Sequence, residues 1–247
     1  MKNQLKTILT AAFMVLAFTP NRAQTEADEM AYLAYITTNQ SLWKKLVKES
    51  QTRFDANKSN ENRYNLALAQ HGLLNSTMTD KNEDLFDDYF KKTKAHLERL
   101  IEEGHQEGNS RALLSSIYGW EIGYSGWKGM FLGGKSSSNL EKASKTDPSS
   151  PLVWQIYAGS KLFTPKAFGG GITEAVEAYE KSIELYEANP ELKKSNWRYL
   201  DALAWLGVAY TNNDEIEKAK NIYHKALEAE PGFGWVKFKL LPGIASK

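Results

Sequence analysis

Apolar residues recur every three or four positions along most of this chain, and this spacing is the strongest constraint on its fold. No proline interrupts the sequence between Pro20 and Pro148, and the later prolines stand near the ends of apolar segments. No run rich in Val, Ile and Thr alternates apolar with polar residues between turn residues. The sequence therefore predicts an all-α fold with almost no β-strand.

Composition excludes several classes of function. The 247 residues are 42% hydrophobic and 25% charged, as in ordinary globular domains, and the formal net charge is +1. Because the chain has no cysteine, it cannot hold a disulfide framework, an iron–sulfur cluster, a thiolate zinc site or a cysteine nucleophile. The nearly balanced charge argues against a nucleic-acid-binding protein, which usually carries a basic excess.

The first 24 residues have the pattern of a secretory signal peptide. Two lysines precede an apolar run at residues 7–18, and a polar segment containing Ala23 follows. A run of this length forms a helix of about 18 Å, too short for a hydrocarbon core of about 30 Å. We therefore expect cleavage after Ala23 or Gln24 and an exported protein, periplasmic or secreted, with no transmembrane segment in the mature chain. An uncleaved N-terminal anchor is the alternative. Removal of residues 1–24 changes the formal net charge from +1 to −2.

A repeated pattern is clearest near the C-terminus, in the text LAWLGVAYTNNDEIEKAKNIYHKALEAEP. The small residues Gly207 and Ala219 would let two antiparallel helices cross closely, with tyrosines filling the space beside the crossing. A proline would end the second helix. The pattern occupies Leu203, Leu206, Gly207, Tyr210, Ala219, Tyr223, Ala226 and Pro231.

This unit resembles the tetratricopeptide repeat, in which a bulky residue, Leu-Gly and Tyr are followed by Ala, an aromatic residue, a small residue and Pro. Residues 200–233 form the complete copy, and residues 110–149 and 150–190 form weaker ones. Residues 25–109 show divergent helix pairs whose register is not defined. The resemblance implies a single domain over residues 25–247, an α-solenoid of irregular antiparallel helix pairs. A capping helix at residues 234–247 would cover the last open face with Phe233, Trp235, Phe238 and Leu240.

The resemblance also implies where a partner would bind. Proteins of this family bind a peptide or another protein on the concave surface formed by the first helices of the repeats. In the clearest unit this surface would present Asp201, Ala204, Val208 and Thr211, opposite the packing face of Gly207. The leading hypothesis is therefore an exported, non-catalytic scaffold that binds a protein or peptide partner, and not nucleic acid.

Residues 117–134 combine six glycines with five aromatic residues, and this stretch is the most unusual text in the chain. Glycine disfavours helix by about 0.5–1 kcal/mol per position, so six glycines require a reason. We favour close helix packing with aromatic side chains in the gaps. The alternative is a small-ligand pocket lined by Trp120, Tyr124, Trp127 and Trp154.

No group of residues predicts catalysis or a cofactor. The histidines lack a second histidine at metal-ligand spacing, and the serines lack a nucleophile motif. We therefore expect no metal site and no cofactor, and an enzyme is the least favoured function. The run Phe168-Gly-Gly-Gly171 precedes a helix without a preceding strand or a following Lys-Ser/Thr, so it is not a nucleotide loop. We expect a tight positive-φ turn packed by Phe163, Pro165 and Phe168.

Overall fold

The computed structural model describes the backbone of residues 20–244 and the side chains of residues 24–244. Most of the predicted signal peptide therefore lies outside the described residues. Within them the chain forms helices and no strand, which confirms the predicted all-α class. The α-helices are α1 (Pro20–Ile36), α2 (Gln40–Ala56), α3 (Asn60–Asp80), α4 (Glu83–Glu102), α5 (Glu107–Tyr124), α6 (Gly129–Thr146), α7 (Pro151–Phe163), α8 (Ile172–Ala188), α9 (Pro190–Lys193), α10 (Trp197–Asn212), α11 (Ile216–Ala229) and α12 (Leu241–Ile244). Short 3₁₀ turns at Gly126–Lys128 and Lys166–Phe168 join α5 to α6 and α7 to α8.

The long helices pack as five antiparallel pairs, α1/α2, α3/α4, α5/α6, α7/α8 and α10/α11. The first helices of successive pairs contact one another, so α1, α3, α5, α7 and α10 line the inner side of the stack. Helix α1 also contacts α10, and the row of pairs therefore curls until its first helix meets its fifth pair. This arrangement is the predicted solenoid of antiparallel helix pairs.

Side-chain oxygens of Ser and Asn begin several of these helices. Asn39 accepts hydrogen bonds from the first turn of α2, Ser59 from that of α3, and Ser150 from that of α7. Such caps satisfy backbone N–H groups that have no partner within the helix. In α7, Pro151 follows its cap at the first helical position, where a missing N–H costs nothing.

The α10/α11 pair has the close crossing that the sequence predicts. A Cβ atom built on Gly207 would lie 2.1 Å from Tyr223 Cε1, a distance that no side chain tolerates. Tyr223 and Ala219 are buried beneath this contact. The glycine of the repeat pattern is therefore required because the ring of Tyr223 lies directly against the α10 backbone.

A helical segment follows α11 and covers the end of the stack. It includes a π-helical turn at Val236–Leu240 and continues into α12. Phe233, Val236 and Ile244 are buried in the core shared with α10 and α11. The expectation that Phe238 covers this face is wrong, because its side chain is 72% exposed. It stands two positions from Val236 and thus on the opposite side of the helix.

Among the residues that the structure describes, none of the helices has the length and apolar character needed to cross a bilayer.

Candidate functional site

The inner side of the stack, where a partner groove was expected, is filled by the chain's own side chains. The carboxylate of Asp201 on α10 accepts hydrogen bonds from three different groups. The Tyr35 hydroxyl donates at 2.7 Å, Gln155 Nε2 at 2.7 Å and Trp205 Nε1 at 3.1 Å. These bonds join α1, α7 and α10 on the inner side of the stack. Asp201 therefore has a structural role, because its carboxylate links three helices.

A second set of polar groups lies beside this carboxylate. Arg198 Nη2 donates to His71 Nδ1 at 3.2 Å, and His71 Nε2 lies 2.7 Å from Ser116 Oγ. Because a guanidinium can only donate, Nδ1 of His71 accepts and its proton resides on Nε2. These contacts connect α3, α5 and α10, and they hold His71 as the neutral imidazole.

Burial sets the protonation of these inner groups. Burial, reinforced by the charge of Arg198, holds the pKa of His71 well below its usual value. Burial raises the pKa of Asp201, against the opposing effect of its hydrogen bonds. Burial and the nearby Asp201 carboxylate raise the pKa of Tyr35 well above its usual value. The inner side of the stack is thus a tightly bonded polar core.

The four residues predicted to face a partner therefore occupy different environments. Ala204 is fully buried, and its side chain presents no surface. Asp201 is held by the bonds described above. Val208 and Thr211 are half-buried, and Thr211 Oγ1 donates to the Gly207 carbonyl oxygen at 2.8 Å. The expectation of one open face is wrong for Ala204, because neighbouring helices pack against that side of α10.

The aromatic residues predicted to line a ligand pocket are also separated. The Trp120 ring lies 4.6 Å from the His71 ring between ring centres, and the Tyr124 hydroxyl donates to the Thr77 carbonyl at 2.8 Å. Trp154 Nε1 donates to the Pro148 carbonyl, and the Lys181 ammonium lies 3.6 Å from the centre of its ring. Among the described residues, no ring contact joins these three side chains to one another or to Trp127.

The glycines of residues 117–134 do not serve close packing, contrary to the favoured interpretation. A Cβ atom on Gly119, Gly126, Gly133 or Gly134 would have no neighbour within 4 Å, apart from the adjoining backbone. On Gly123 and Gly129 a Cβ atom would make only ordinary contacts with another helix, at 3.4 Å from Met78 Cε and 3.6 Å from Ile122 Cγ2. The sequence pattern cannot distinguish a glycine that admits a neighbour from one that faces open space.

Three large apolar side chains at the start of α6 face solvent, and we call them the aromatic surface. Trp127 is 64% exposed, Met130 80% and Phe131 62%. The rings of Trp127 and Phe131 pack edge to face with centres 6.1 Å apart. An ion pair between Lys128 and the buried Glu121 fixes the connection that carries them. The three side chains are thus exposed to solvent, and the turn that carries them is fixed by the ion pair.

A cleft of about 690 Å³ lies between α4, α5 and α6. Phe131, Lys135 and Ser138 are spaced by four and three positions, so the α6 face that carries Phe131 also lines this cleft. Its walls combine apolar and cationic groups, which include Ile101, Leu114, Tyr118, Arg111 and Lys135. Sequence reasoning missed the cleft, since its walls come from three helices.

Some of the charged side chains in the cleft are ion-paired and one is not. Glu98 binds Lys94 at 3.0 Å, and Glu102 binds Arg99 at 3.4 Å. Arg111 is bound to Glu107 at 2.8 Å, whereas Lys135 has no acidic partner among the described residues. The Lys135 ammonium is therefore free to meet a negative group of a ligand.

Across residues 24–244, no three His, Asp or Glu side chains lie close enough together to hold a metal ion.

Comparisons with known proteins agree with the fold. Residues 200–233 match the model of the tetratricopeptide repeat family. None of the curated proteins is significantly similar to the chain in sequence. Among solved structures, the chain is similar to a HusA haemophore from Porphyromonas gingivalis, with a TM-score of 0.61 and 20% sequence identity. That similarity covers 78% of this chain and 96% of the haemophore. The fold is thus an all-α stack of antiparallel helix pairs that contains a tetratricopeptide repeat at residues 200–233.

Proposed function

We propose that this protein is a non-catalytic scaffold that binds a flat, largely apolar ligand with negative groups, of the porphyrin class. The ligand would lie in the cleft between α4, α5 and α6, with one face against the aromatic surface. The observation that carries the proposal is that Phe131, whose exposed ring packs on Trp127, shares a face of α6 with Lys135, which lines the cleft and has no acidic partner among the described residues. The cleft volume of about 690 Å³ lies within the range of about 300–1,000 Å³ that is typical of small-molecule sites.

The chemistry of the cleft matches that ligand class. Flat macrocycles stack on aromatic rings, and their carboxylates are bound by lysine and arginine. Lys135 and Arg111 lie on α6 and α5 at the walls, beside the half-buried Ile101, and Glu98 and Glu102 of α4 also line the cleft. The structural likeness to a haemophore, a protein that carries haem, agrees with this choice of ligand class.

A titration with protoporphyrin IX and haem, followed by absorbance, tests the proposal. Trp127→Ala combined with Phe131→Ala should raise the dissociation constant about tenfold or more, because two stacking rings are lost. Lys135→Glu should weaken binding through charge repulsion. The matched control is Phe238→Ala, which removes an equally exposed ring far along the chain, and it should bind as the wild type does. Equal affinity of all four proteins would contradict the proposal.

A protein or peptide partner is the second candidate, and the tetratricopeptide match at residues 200–233 favours it. On α10, Val208 and Thr211 remain partly accessible and would contribute to such a surface. A Val208→Lys variant should then lose a partner that the wild type captures from the native envelope fraction. Mass spectrometry identifies that partner, and its capture by both proteins would count against this surface.

We also propose export of the mature chain from the basic, apolar and polar order of residues 1–24. N-terminal sequencing of the protein from its native source should begin near Thr25. A sequence that begins at Met1 on membrane-bound protein would contradict export by cleavage.

A further inference from the structure

A second exposed apolar site lies on the α7–α8 loop, residues 164–171, away from the cleft. Phe168 is 81% exposed at the end of the 3₁₀ turn, and Phe163 is 64% exposed at the end of α7. The expectation that these rings pack the turn is wrong. The Phe163 ring packs edge to face with the half-buried Trp205, with ring centres 4.9 Å apart, and Phe168 projects into solvent.

Hydrogen bonds and a close backbone contact nevertheless fix the conformation of the loop that carries Phe168. Backbone hydrogen bonds run from Phe168 and Gly170 to the Pro165 carbonyl, and from Gly171 to the Lys161 carbonyl. A Cβ atom on Gly170 would lie 1.7 Å from the Thr164 carbonyl oxygen, so this position accepts glycine alone. Lys161 Nζ donates to the Gly169 carbonyl at 2.9 Å and closes the loop from the side. A fixed loop thus holds a large apolar side chain in water.

Basic residues outnumber acidic ones around the loop. Residues 148–173 contain Lys161 and Lys166 and no acidic residue, and Glu174 follows in the first turn of α8 with its carboxylate beside Gly171. Neither Lys161 nor Lys166 is ion-paired among the described residues. The next connection, between α10 and α11, does carry Asp214 and Glu215, but Glu215 is bound by Lys218.

The two basic and aromatic connections lie at the same edge of the stack. Each joins the first helix of a pair to the second, and the α5/α6 and α7/α8 pairs are neighbours. Exposed Trp and Phe side chains beside lysines are typical of segments that lie in the membrane interface, where the rings enter the headgroup region and the ammonium groups meet anionic lipid.

We propose that this edge docks the protein on an anionic membrane surface, with Phe168 inserted and with Lys161 and Lys166 against lipid phosphates. The proposal rests on the α7–α8 loop, none of whose residues lines the porphyrin cleft, although the aromatic surface lies at the same edge. Since the test below uses vesicles without porphyrin, either proposal can fail without the other.

Co-sedimentation with vesicles tests the docking. The wild-type protein should bind phosphatidylglycerol vesicles and bind phosphatidylcholine vesicles at least about tenfold more weakly, with added salt reducing the difference. Phe168→Ser should lower binding to phosphatidylglycerol about tenfold, and Lys166→Glu should do the same. Because the Phe168 side chain packs on nothing, its variant should fold normally, which circular dichroism checks.

Phe238→Ala is the matched control, since it removes another exposed phenyl ring, and it should sediment with phosphatidylglycerol vesicles as the wild type does. Three results would overturn the proposal: no sedimentation of the wild type with either vesicle, equal sedimentation with both, or full binding by Phe168→Ser. A Phe168→Ser variant that changes only self-association would assign the loop to a protein contact instead and would also overturn it.

Discussion

The hydroxyl of Tyr35 donates a 2.7 Å hydrogen bond to Oδ1 of Asp201, although 166 positions of sequence separate the two residues. The bond ties the first helix of the chain to the first helix of the last pair. A second link lies nearby, where the Tyr32 hydroxyl donates to Glu230 Oε2 at 2.8 Å. The first helix therefore closes the stack and fills the place in which a concave groove was expected.

Loss of this closing bond should destabilise the protein. Tyr35→Phe leaves the buried Asp201 carboxylate without one donor, which costs about 1–3 kcal/mol of unfolding free energy. Urea denaturation followed by circular dichroism measures the change. Tyr157→Phe is the control, because the Tyr157 hydroxyl has no hydrogen-bond partner among the described residues, and it should unfold at the wild-type midpoint. Equal midpoints for all three proteins would show that the closing bond contributes nothing.

Some glycines should be required for stability, whereas others should tolerate replacement by alanine. Gly207→Ala would place a methyl group against Tyr223 and should destabilise the fold by about 1–3 kcal/mol. Gly133→Ala, in a helix and facing open space, should instead stabilise it by about 0.5–1 kcal/mol. Thermal unfolding of both variants tests this, and a change of the same sign in both would refute the assignment.

Stability should fall as the pH drops below about 6.5, the usual pKa of histidine. The pKa of His71 is lowered in the fold, so the unfolded chain takes up a proton that the folded chain refuses. The contribution of His71 to the free energy of unfolding is therefore fully present above the pKa of the unfolded chain. As the pH falls from that value toward the pKa of the folded chain, the contribution decreases by at most about 1.4 kcal/mol per pH unit. Comparison of urea midpoints at pH 7.5 and 5.5 should show a smaller difference in His71→Gln than in the wild type. An unchanged difference would exclude His71 as its source.

The two central tryptophans of residues 117–134 should respond differently to truncation. Trp120→Ala removes a ring that packs against His71 and should cost about 1–3 kcal/mol of stability. Trp127→Ala removes an exposed ring and should leave the melting temperature within about 1–2 °C of the wild type. Differential scanning calorimetry measures both. If Trp127→Ala also unfolds the protein, that ring belongs to the core and not to a binding surface.

The sequence predicted local features well and long-range ones poorly. The close crossing at Gly207 followed from small residues at fixed spacing within one repeat, and the structure confirms it. The prediction of an open face did not anticipate the surroundings of Asp201, which come from distant segments. Asp201 lay on the expected face of α10, but Tyr35 and Gln155 reach it from helices that no local pattern places there.

The sequence pattern also could not show which aromatic residues are exposed to solvent. Helical spacing shows which residues share a face but does not show whether a neighbouring helix covers it. Tyr118 is buried while Phe131 is exposed, although both stand in the same glycine-rich text. The cleft beside Phe131 needs α4, α5 and α6 in their final positions, and sequence spacing within α6 alone could not predict it.

Hydrogen exchange measured by mass spectrometry, with and without protoporphyrin IX, tests whether the porphyrin binds in the cleft between α4, α5 and α6. If the ligand lies in the cleft and on the aromatic surface, peptides covering residues 111–118 and 127–139 should exchange more slowly in its presence. Peptides from α10, residues 197–212, should exchange at the same rate as before. Protection confined to α10, or no protection anywhere at saturating porphyrin, would contradict the account.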